Sequence, residues 1–127
     1  MKLFEVMESM VDAITGKGVD NSSIEAAEDA LGISFSKEYR AYLEHYGIAA
    51  VNGHELTGIC KSVRTNVVPV TQGAKLVCDA EDDWYVIEQT NIDGVVIWQS
   101  SSGTIYRAAP NTKATKLCES MAEYIEL

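Results

Sequence analysis

The segment Trp84-Tyr85-Val86-Ile87-Glu88 opens a stretch that continues with Gly94-Val95-Val96-Ile97-Trp98 and Gly103-Thr104-Ile105-Tyr106. Each run is rich in β-branched or aromatic residues, which is typical of β-strands. The connections Asn91-Ile92-Asp93-Gly94 and Ser100-Ser101-Ser102-Gly103 end in glycine, as tight turns often do. Because connections this short make neighbouring strands antiparallel, the stretch predicts an antiparallel meander of three strands.

The first two predicted strands carry apolar residues on both faces of the sheet. Successive side chains of a strand point to opposite faces. Within the first strand Trp84 and Val86 therefore face one way and Tyr85 and Ile87 the other, and within the second Val95 and Ile97 oppose Val96 and Trp98. A sheet that is apolar on both faces is either covered on both or leaves one as a binding surface.

Length and composition are those of a globular domain. The chain has 127 residues, of which 46% are hydrophobic and 23% charged, and we expect a single domain over residues 1–127. No apolar run approaches the ~20 residues that span a bilayer. Glu5, Glu8 and Asp12 interrupt the apolar residues near the start, which is atypical of a signal peptide. We therefore predict neither a membrane span nor a secretion signal.

The net charge indicates which class of partner the protein binds, and the cysteine content indicates the redox state of its cellular compartment. A net charge of −9 repels phosphate backbones and anionic lipid, so we expect no direct nucleic-acid or membrane binding, and any partner should be basic. The three cysteines, Cys60, Cys78 and Cys118, are odd in number and widely spaced. This pattern favours reduced thiols in the cytoplasm over a disulfide framework. The expected oligomeric state is a monomer or a weak homodimer.

Amphipathic helices are predicted before the meander. Apolar residues at helical spacing indicate a first helix from Leu3 to Ile14, ending near Gly16 and Gly18. A second helix should begin at a capping box formed by Ser22 and Glu25 and end at Gly32, where glycine suits a helix terminus. A third is predicted between a Ser36 cap and Gly47, with Tyr39, Tyr42, Leu43 and Tyr46 on its buried side.

The remaining elements complete the expected fold. Glu55–Ile59 is predicted to be the first strand. Over Asn66–Val77 the valines indicate a strand, but Pro69 would interrupt an internal ladder and is tolerated in the first turn of a helix, which favours a short helix. A second capping box, Ser120 with Glu123, predicts a final short helix. The fold class is therefore α+β: N-terminal helices, a central antiparallel sheet of about four strands and a short C-terminal helix.

No catalytic or cofactor constellation emerges from the sequence. The two histidines are His45 and His54, and neither forms a known nucleophile motif with Cys60. The same three residues lack the fourth ligand and the paired spacing of a zinc site. Gly16-Lys17-Gly18 is too short for a phosphate-binding loop. We therefore expect no enzyme activity, no cofactor and no resident metal.

The acidic segment between Leu76 and Tyr106 is the most asymmetric feature, because it contains six acids and no lysine or arginine. One interpretation is a solvated loop that protects a sheet edge. A calcium loop is set aside because the regular ligand spacing is absent. The third interpretation is a recognition surface of acids and aromatics. The candidate partner-binding residues are Asp79, Glu81, Asp82, Asp83, Trp84, Tyr85, Glu88 and Asp93.

The order of motifs resembles the SUKH superfamily, which includes Smi/Knr-type yeast cell-wall regulators and many bacterial immunity proteins. The motifs are Ile24-Glu25-Ala26-Ala27-Glu28, Leu31-Gly32-Ile33, Tyr39-Arg40-Ala41-Tyr42-Leu43, Tyr46-Gly47, Glu55-Leu56-Thr57-Gly58-Ile59, the first two strands of the meander and Ser120–Ile125. The similarity covers roughly Ile24 to Ile125. It implies an α+β fold, a helix over Asn66–Val77 and no shared catalytic residues.

The resemblance also implies a function. Small bacterial members of the superfamily are similar to antidotes that neutralise a toxin by direct binding. Together with the negative charge, this predicts a cytoplasmic immunity protein that binds a basic toxin domain, a nuclease. The alternative is a non-catalytic intracellular adaptor or regulatory binding module, as in the eukaryotic relatives.

Overall fold

The chain forms an α+β fold of five helices and seven strands, in a computed structural model that describes Met1–Leu127. The helices are Lys2–Ser9 (α1), Asn21–Leu31 (α2), Lys37–Tyr46 (α3), Val67–Ala74 (α4) and Met121–Ile125 (α5). The strands are Ile14–Thr15 (β1), Ala49–Val51 (β2), His54–Glu55 (β3), Tyr85–Gln89 (β4), Val96–Gln99 (β5), Ile105–Ala108 (β6) and Thr115–Cys118 (β7). This confirms the predicted fold class, with N-terminal helices, a four-stranded antiparallel sheet and a short C-terminal helix.

The meander becomes the larger of two antiparallel sheets, with strand order β4-β5-β6-β7. Trp98 lies at its centre, opposite Val86 on β4 and Tyr106 on β6. The smaller sheet has the order β1-β2-β3, and a single bridge between Leu56 and Glu88 connects the end of β3 to β4. The strand predicted over Glu55–Ile59 is therefore only partly formed, because one bridge replaces a full ladder.

The two faces of the larger sheet divide as the alternation predicts, and both are covered. Tyr85, Ile87, Val95 and Ile97 belong to the main core, which α1, α2, α3 and α5 complete. On the other face, Trp84, Val86, Val96 and Trp98 pack with Val70, Ala74 and Cys78. The helix favoured over Asn66–Val77 is thus present as α4, and it supplies the cover for this second face.

The first helix and the last strand differ from the prediction. The first helix ends at Ser9 instead of continuing to Ile14, because Met10 takes an extended conformation and the chain returns as β1. There Ile14 pairs with Ala50 and is 73% exposed. Its spacing from the apolar residues of the first helix therefore did not indicate a place on the buried face of that helix. The last strand, β7, was not predicted, because its exposed residues lack the apolar alternation of a half-buried strand.

The helix caps are polar side chains, as predicted, but the residue that caps α2 differs from the predicted one. Ser36 and Ser120 accept hydrogen bonds from the backbone N–H of Tyr39 and Glu123, as predicted. For α2 the cap is Asp20 instead of Ser22: the Asp20 carboxylate accepts from the Ser23 N–H at 2.9 Å, and the Ser22 hydroxyl donates to it. A carboxylate suits this position because it also complements the helix dipole.

Glu38 of α3 joins the N-terminus of α5 to the sheet. Its carboxylate accepts hydrogen bonds from the backbone N–H groups of Met121, at 2.7 Å, and Ala122, at 3.0 Å. The Gln99 side chain of β5 donates to the same carboxylate at 2.9 Å. The Glu38 carboxylate therefore satisfies the free backbone donors of a helix other than its own.

Candidate partner-binding site

The acidic segment forms the connection from α4 to β4 and is supported by a lysine at its start. Lys75 Nζ donates to the backbone carbonyl of Asp82 at 2.8 Å. Partial burial lowers the pKa of Lys75, although Asp82 and Asp83 oppose this effect. Because the lysine bonds a carbonyl oxygen of the loop, the exposed carboxylates of Asp79, Glu81 and Asp82 have no ion-pair partner within the chain.

Asp83 is fixed against the turn between β5 and β6. Its Oδ2 accepts hydrogen bonds from the backbone N–H of Ser101, at 3.0 Å, and from the Ser101 hydroxyl, at 2.8 Å. Burial acts to raise the pKa of Asp83, but the bonds from Ser101 outweigh it, and the pKa is lowered. The carboxylate therefore remains charged and keeps one orientation.

Two grooves meet at Asp83. The first, here called the aromatic groove, has a volume of about 480 Å³ and is lined by Asp79, Glu81, Asp83, Trp84, Tyr106 and Lys113, with small residues between them. The second, here called the acidic groove, is about 520 Å³ and lies between the C-terminal end of α2 and the loop before β4. Its acidic lining consists of Glu28, Asp29, Asp82 and Asp83.

The floor of the aromatic groove is a stacked pair of rings. The Trp84 and Tyr106 rings lie parallel to within 16°, with their centroids 4.2 Å apart. Trp84 is only 7% exposed, whereas Tyr106 is half-buried. Trp98 supports Trp84 from the neighbouring strand, with ring centroids 6.2 Å apart. Trp84 is therefore a fixed part of the floor and does not project from the surface.

Besides Trp84, two of the predicted site residues are buried, and their polar atoms are bound within the chain. Tyr85 is fully buried, accepts a hydrogen bond from the Ser36 N–H and donates to Gln99. Glu88 is 6% exposed and lies at the contact of β3, β4 and α5. Its carboxylate accepts from the Glu55 N–H, lies 2.9 Å from His54 Nδ1 and accepts from the Tyr124 hydroxyl. In this fold neither residue is accessible to a partner.

A bulge in β4 explains why the sequence misplaced Glu88. Val86 lies opposite Trp98, and Glu88 lies opposite the next residue of β5, Ile97. Two steps along β4 thus match one step along β5, which breaks the alternation of faces. Residues opposite each other on paired strands share a face, so Glu88 joins Ile97 on the side of the main core.

Asp93 lies away from the other predicted residues. It occupies the turn between β4 and β5 in a left-handed conformation, with φ of 54°, and it is exposed. The turn is at the opposite end of β4 from Trp84, a separation of about 15 Å at the usual rise per residue. The structure therefore brings together Asp79, Glu81, Asp82, Asp83 and Trp84, but not Asp93.

The acidic surface also includes two residues from outside the acidic segment. Glu28 and Asp29 lie near the C-terminal end of α2 and enter the surface only through the fold, some fifty residues before the acidic segment. A signal was present, because acids near a helix C-terminus oppose the helix dipole. Glu28 is compensated by Arg40, at 2.7 Å, and by the Phe35 N–H, at 2.8 Å, whereas Asp29 is exposed.

The residues considered for catalysis or metal binding lie apart. His54 pairs with Glu88, and Cys60 Sγ lies 3.3 Å from Thr65 Oγ1. No three side chains of His, Cys, Asp or Glu are arranged to hold a metal ion. All three cysteines are free. None of the five helices has the length and hydropathy required to cross a bilayer.

The comparison with protein families agrees with the fold. The family model SUKH_5, described as SMI1-KNR4 cell-wall, matches residues 2–126. No curated protein matches the chain. Membership of this family is compatible with an immunity-like protein that acts by binding another protein. Because the match spans nearly the whole chain, the protein belongs to the SMI1-KNR4 family of the SUKH superfamily.

Proposed function

We propose that this protein is a cytoplasmic, non-catalytic immunity protein that neutralises a basic toxin domain, a nuclease, by direct binding. The observation that carries the proposal is the acidic surface around Asp83. There Asp79, Glu81 and Asp82 have no ion-pair partner within the chain, and the fold adds Asp29 from α2 to the same region. Family membership supports a protein-binding role.

Electrostatics gives this surface a function that suits an antidote. A nuclease must be basic where it holds phosphate, so an acidic inhibitor complements it. Complementary charge can raise association rates to about 10⁸–10⁹ M⁻¹s⁻¹ at low salt. Rapid capture limits the time during which an active toxin is free.

Apolar residues beside the acidic segment offer the contact area that charge alone does not supply. Leu76 and Val77, immediately after α4, are 86% and 59% exposed. Interfaces commonly combine an apolar centre, which dominates affinity, with a polar rim, which governs association rate. We assign Leu76 and Val77 to the apolar centre and the carboxylates of Glu81 and Asp82 to the rim.

Charge reversal tests the proposal. A toxin domain that co-purifies with this protein is isolated, and its association with the Glu81→Lys/Asp82→Lys variant is measured by stopped-flow at several salt concentrations. Asp83 is left intact because Ser101 binds it. We expect association at low salt to slow by about tenfold or more, with a flatter salt dependence.

The matched control is Glu5→Lys/Glu8→Lys, which makes the same change of charge on the exposed side of α1. This variant should associate almost as fast as the unsubstituted protein and protect cells equally well. If both double variants bind with the same kinetics and protect equally, the acidic segment is a solvated loop and the proposed interface is wrong.

A further inference from the structure

We infer that the aromatic groove is a receptor for an arginine side chain of the protein partner. In this arrangement the guanidinium packs on the accessible part of the Tyr106 ring, which Trp84 supports from the other side, and reaches the carboxylates of Asp79, Glu81 and Asp83. The inference rests on the proposed function and deepens it, because it names the chemical group that the surface recognises.

The ring floor selects for a flat cation. The Tyr106 ring is held rigidly, since Trp84 stacks on one of its faces with centroids 4.2 Å apart and Trp98 packs against Trp84. Cations are attracted to aromatic faces, and arginine is the cation most often found there. A guanidinium is planar and less strongly hydrated than an ammonium, so it loses less on leaving water to lie on the rings.

The rim of the groove supplies the opposite charge. Three acidic residues and a single basic one, Lys113, line the groove. Asp83 is held in one orientation by its two bonds from Ser101, so it does not have to be ordered when a ligand arrives. Carboxylates accept paired N–H bonds from the fork of a guanidinium, a geometry that a lysine ammonium does not reproduce.

Other occupants fit the groove less well. A phosphate or an acidic peptide would be repelled by the carboxylates of Asp79, Glu81 and Asp83. A purely apolar side chain would remove these carboxylates from water without pairing them, which is costly. A metal ion lacks a suitable set of ligands here, because no three acids are arranged to hold one. The groove volume of about 480 Å³ accommodates a long side chain with its backbone.

The presence of only two tryptophans allows a direct test. The ¹⁵N-labelled protein has two indole N–H signals, from Trp84 in the groove floor and from Trp98 behind it. The protein is titrated with N-acetyl-arginine N-methylamide and, separately, with the citrulline derivative, which has nearly the same shape but no charge. We expect the Trp84 signal to shift and saturate with arginine, and the affinity for citrulline to be lower by about tenfold or more.

Paired variants locate the recognition. Asp79→Asn/Glu81→Gln should weaken binding of the arginine derivative by about threefold or more, since charge-assisted bonds are lost. Asp12→Asn/Asp93→Asn removes the same charge from two exposed residues outside the groove and should leave the affinity unchanged. Equal shifts with arginine and citrulline, a Trp84 signal that does not saturate, or equal effects of the two double variants would overturn the inference.

The two proposals fail in different ways. If the arginine derivative does not bind but Glu81→Lys/Asp82→Lys still slows association with the toxin domain, only the arginine receptor is wrong. If the arginine derivative binds as described but the charge reversal has no effect on toxin association or protection, the receptor is retained and the proposed function is wrong.

Discussion

His54 and Glu88 form a hydrogen-bonded pair in the interior, with 2.9 Å between Nδ1 and Oε1. The two side chains are 15% and 8% exposed. The pair lies where β3, β4 and α5 meet, and the Tyr124 ring packs on the imidazole with centroids 4.5 Å apart. The hydrogen bond to Glu88 raises the pKa of His54, against the opposing effect of burial.

This pair predicts how stability depends on pH. Because the folded-state pKa of His54 is raised, its contribution is fully present below the unfolded pKa of about 6.5 and is lost as the pH rises through the folded pKa. The free energy of unfolding should therefore fall above about pH 6.5, by at most about 1.4 kcal/mol per pH unit for one proton. Urea unfolding at a series of pH values measures this slope.

Two variants isolate the effect of His54. His54→Gln keeps a neutral hydrogen-bond donor beside Glu88 and should flatten the slope above pH 6.5. Tyr124→Phe removes a different partner of Glu88, so it should lower stability while preserving the slope. An unchanged slope in His54→Gln would assign the pH dependence to another group.

Glu38 should contribute more to stability than its single charge on α3 suggests. Glu38→Ala leaves the Met121 and Ala122 N–H groups without an acceptor, and hydrogen bonds to charged groups are worth about 1.5–3 kcal/mol. We expect a loss in that range in chemical denaturation. The control is Glu119→Ala, which breaks an exposed ion pair with Lys116 and should cost less than about 1 kcal/mol. Equal losses would show that the cap has no special role.

Trp98 offers a test of packing against hydrogen bonding. The side chain is fully buried, and its Nε1 has no hydrogen-bond partner. Trp98→Ala should cost about 3–5 kcal/mol because it leaves a large cavity. Trp98→Phe should cost much less, since it removes an unsatisfied donor and keeps an aromatic ring. Equal losses of stability in the two variants would contradict the absence of a hydrogen-bond partner for Nε1.

The cysteines should differ in accessibility although all are free. Protein purified without reductant and then denatured should show three thiols on titration with a disulfide reagent. In the native state Cys78 should react slowly, because it is 7% exposed and burial raises the pKa of its thiol. Cys78→Ser should therefore remove the slow phase. A rapid reaction of all three thiols would contradict the packing of Cys78 between α4 and the sheet.

Local patterns predicted much of the fold because they report directly on burial and backbone chemistry. The alternation in β4 and β5 separated Tyr85 from Trp84, and the serine caps and Gly32 marked helix ends. Pro69 placed α4 correctly because proline is acceptable only in the first turn. In these cases each residue's environment depends mainly on its near neighbours in the chain.

The candidate site was predicted less completely, because the position of its residues is set by contacts between segments that are far apart in the sequence. The bulge in β4 turned Glu88 inward, and no alternation pattern reveals a bulge that is set by pairing with β5. Asp29 reached the acidic surface through the packing of α2 against the rest of the fold. The exposed strand β7 exists because β6 offers it a partner, not because its own residues favour a strand.

The bond from Met121 to Glu38 has a consequence for the order of folding. It joins residues separated by 83 positions, and the helix that it caps has five residues. A helix this short is not stable in isolation, and closing so long a loop costs entropy before the contact is made. The last helix should therefore form only after α3 and the sheet have assembled. Slow hydrogen exchange at the Met121 and Ala122 amides would then report that the whole chain has finished folding.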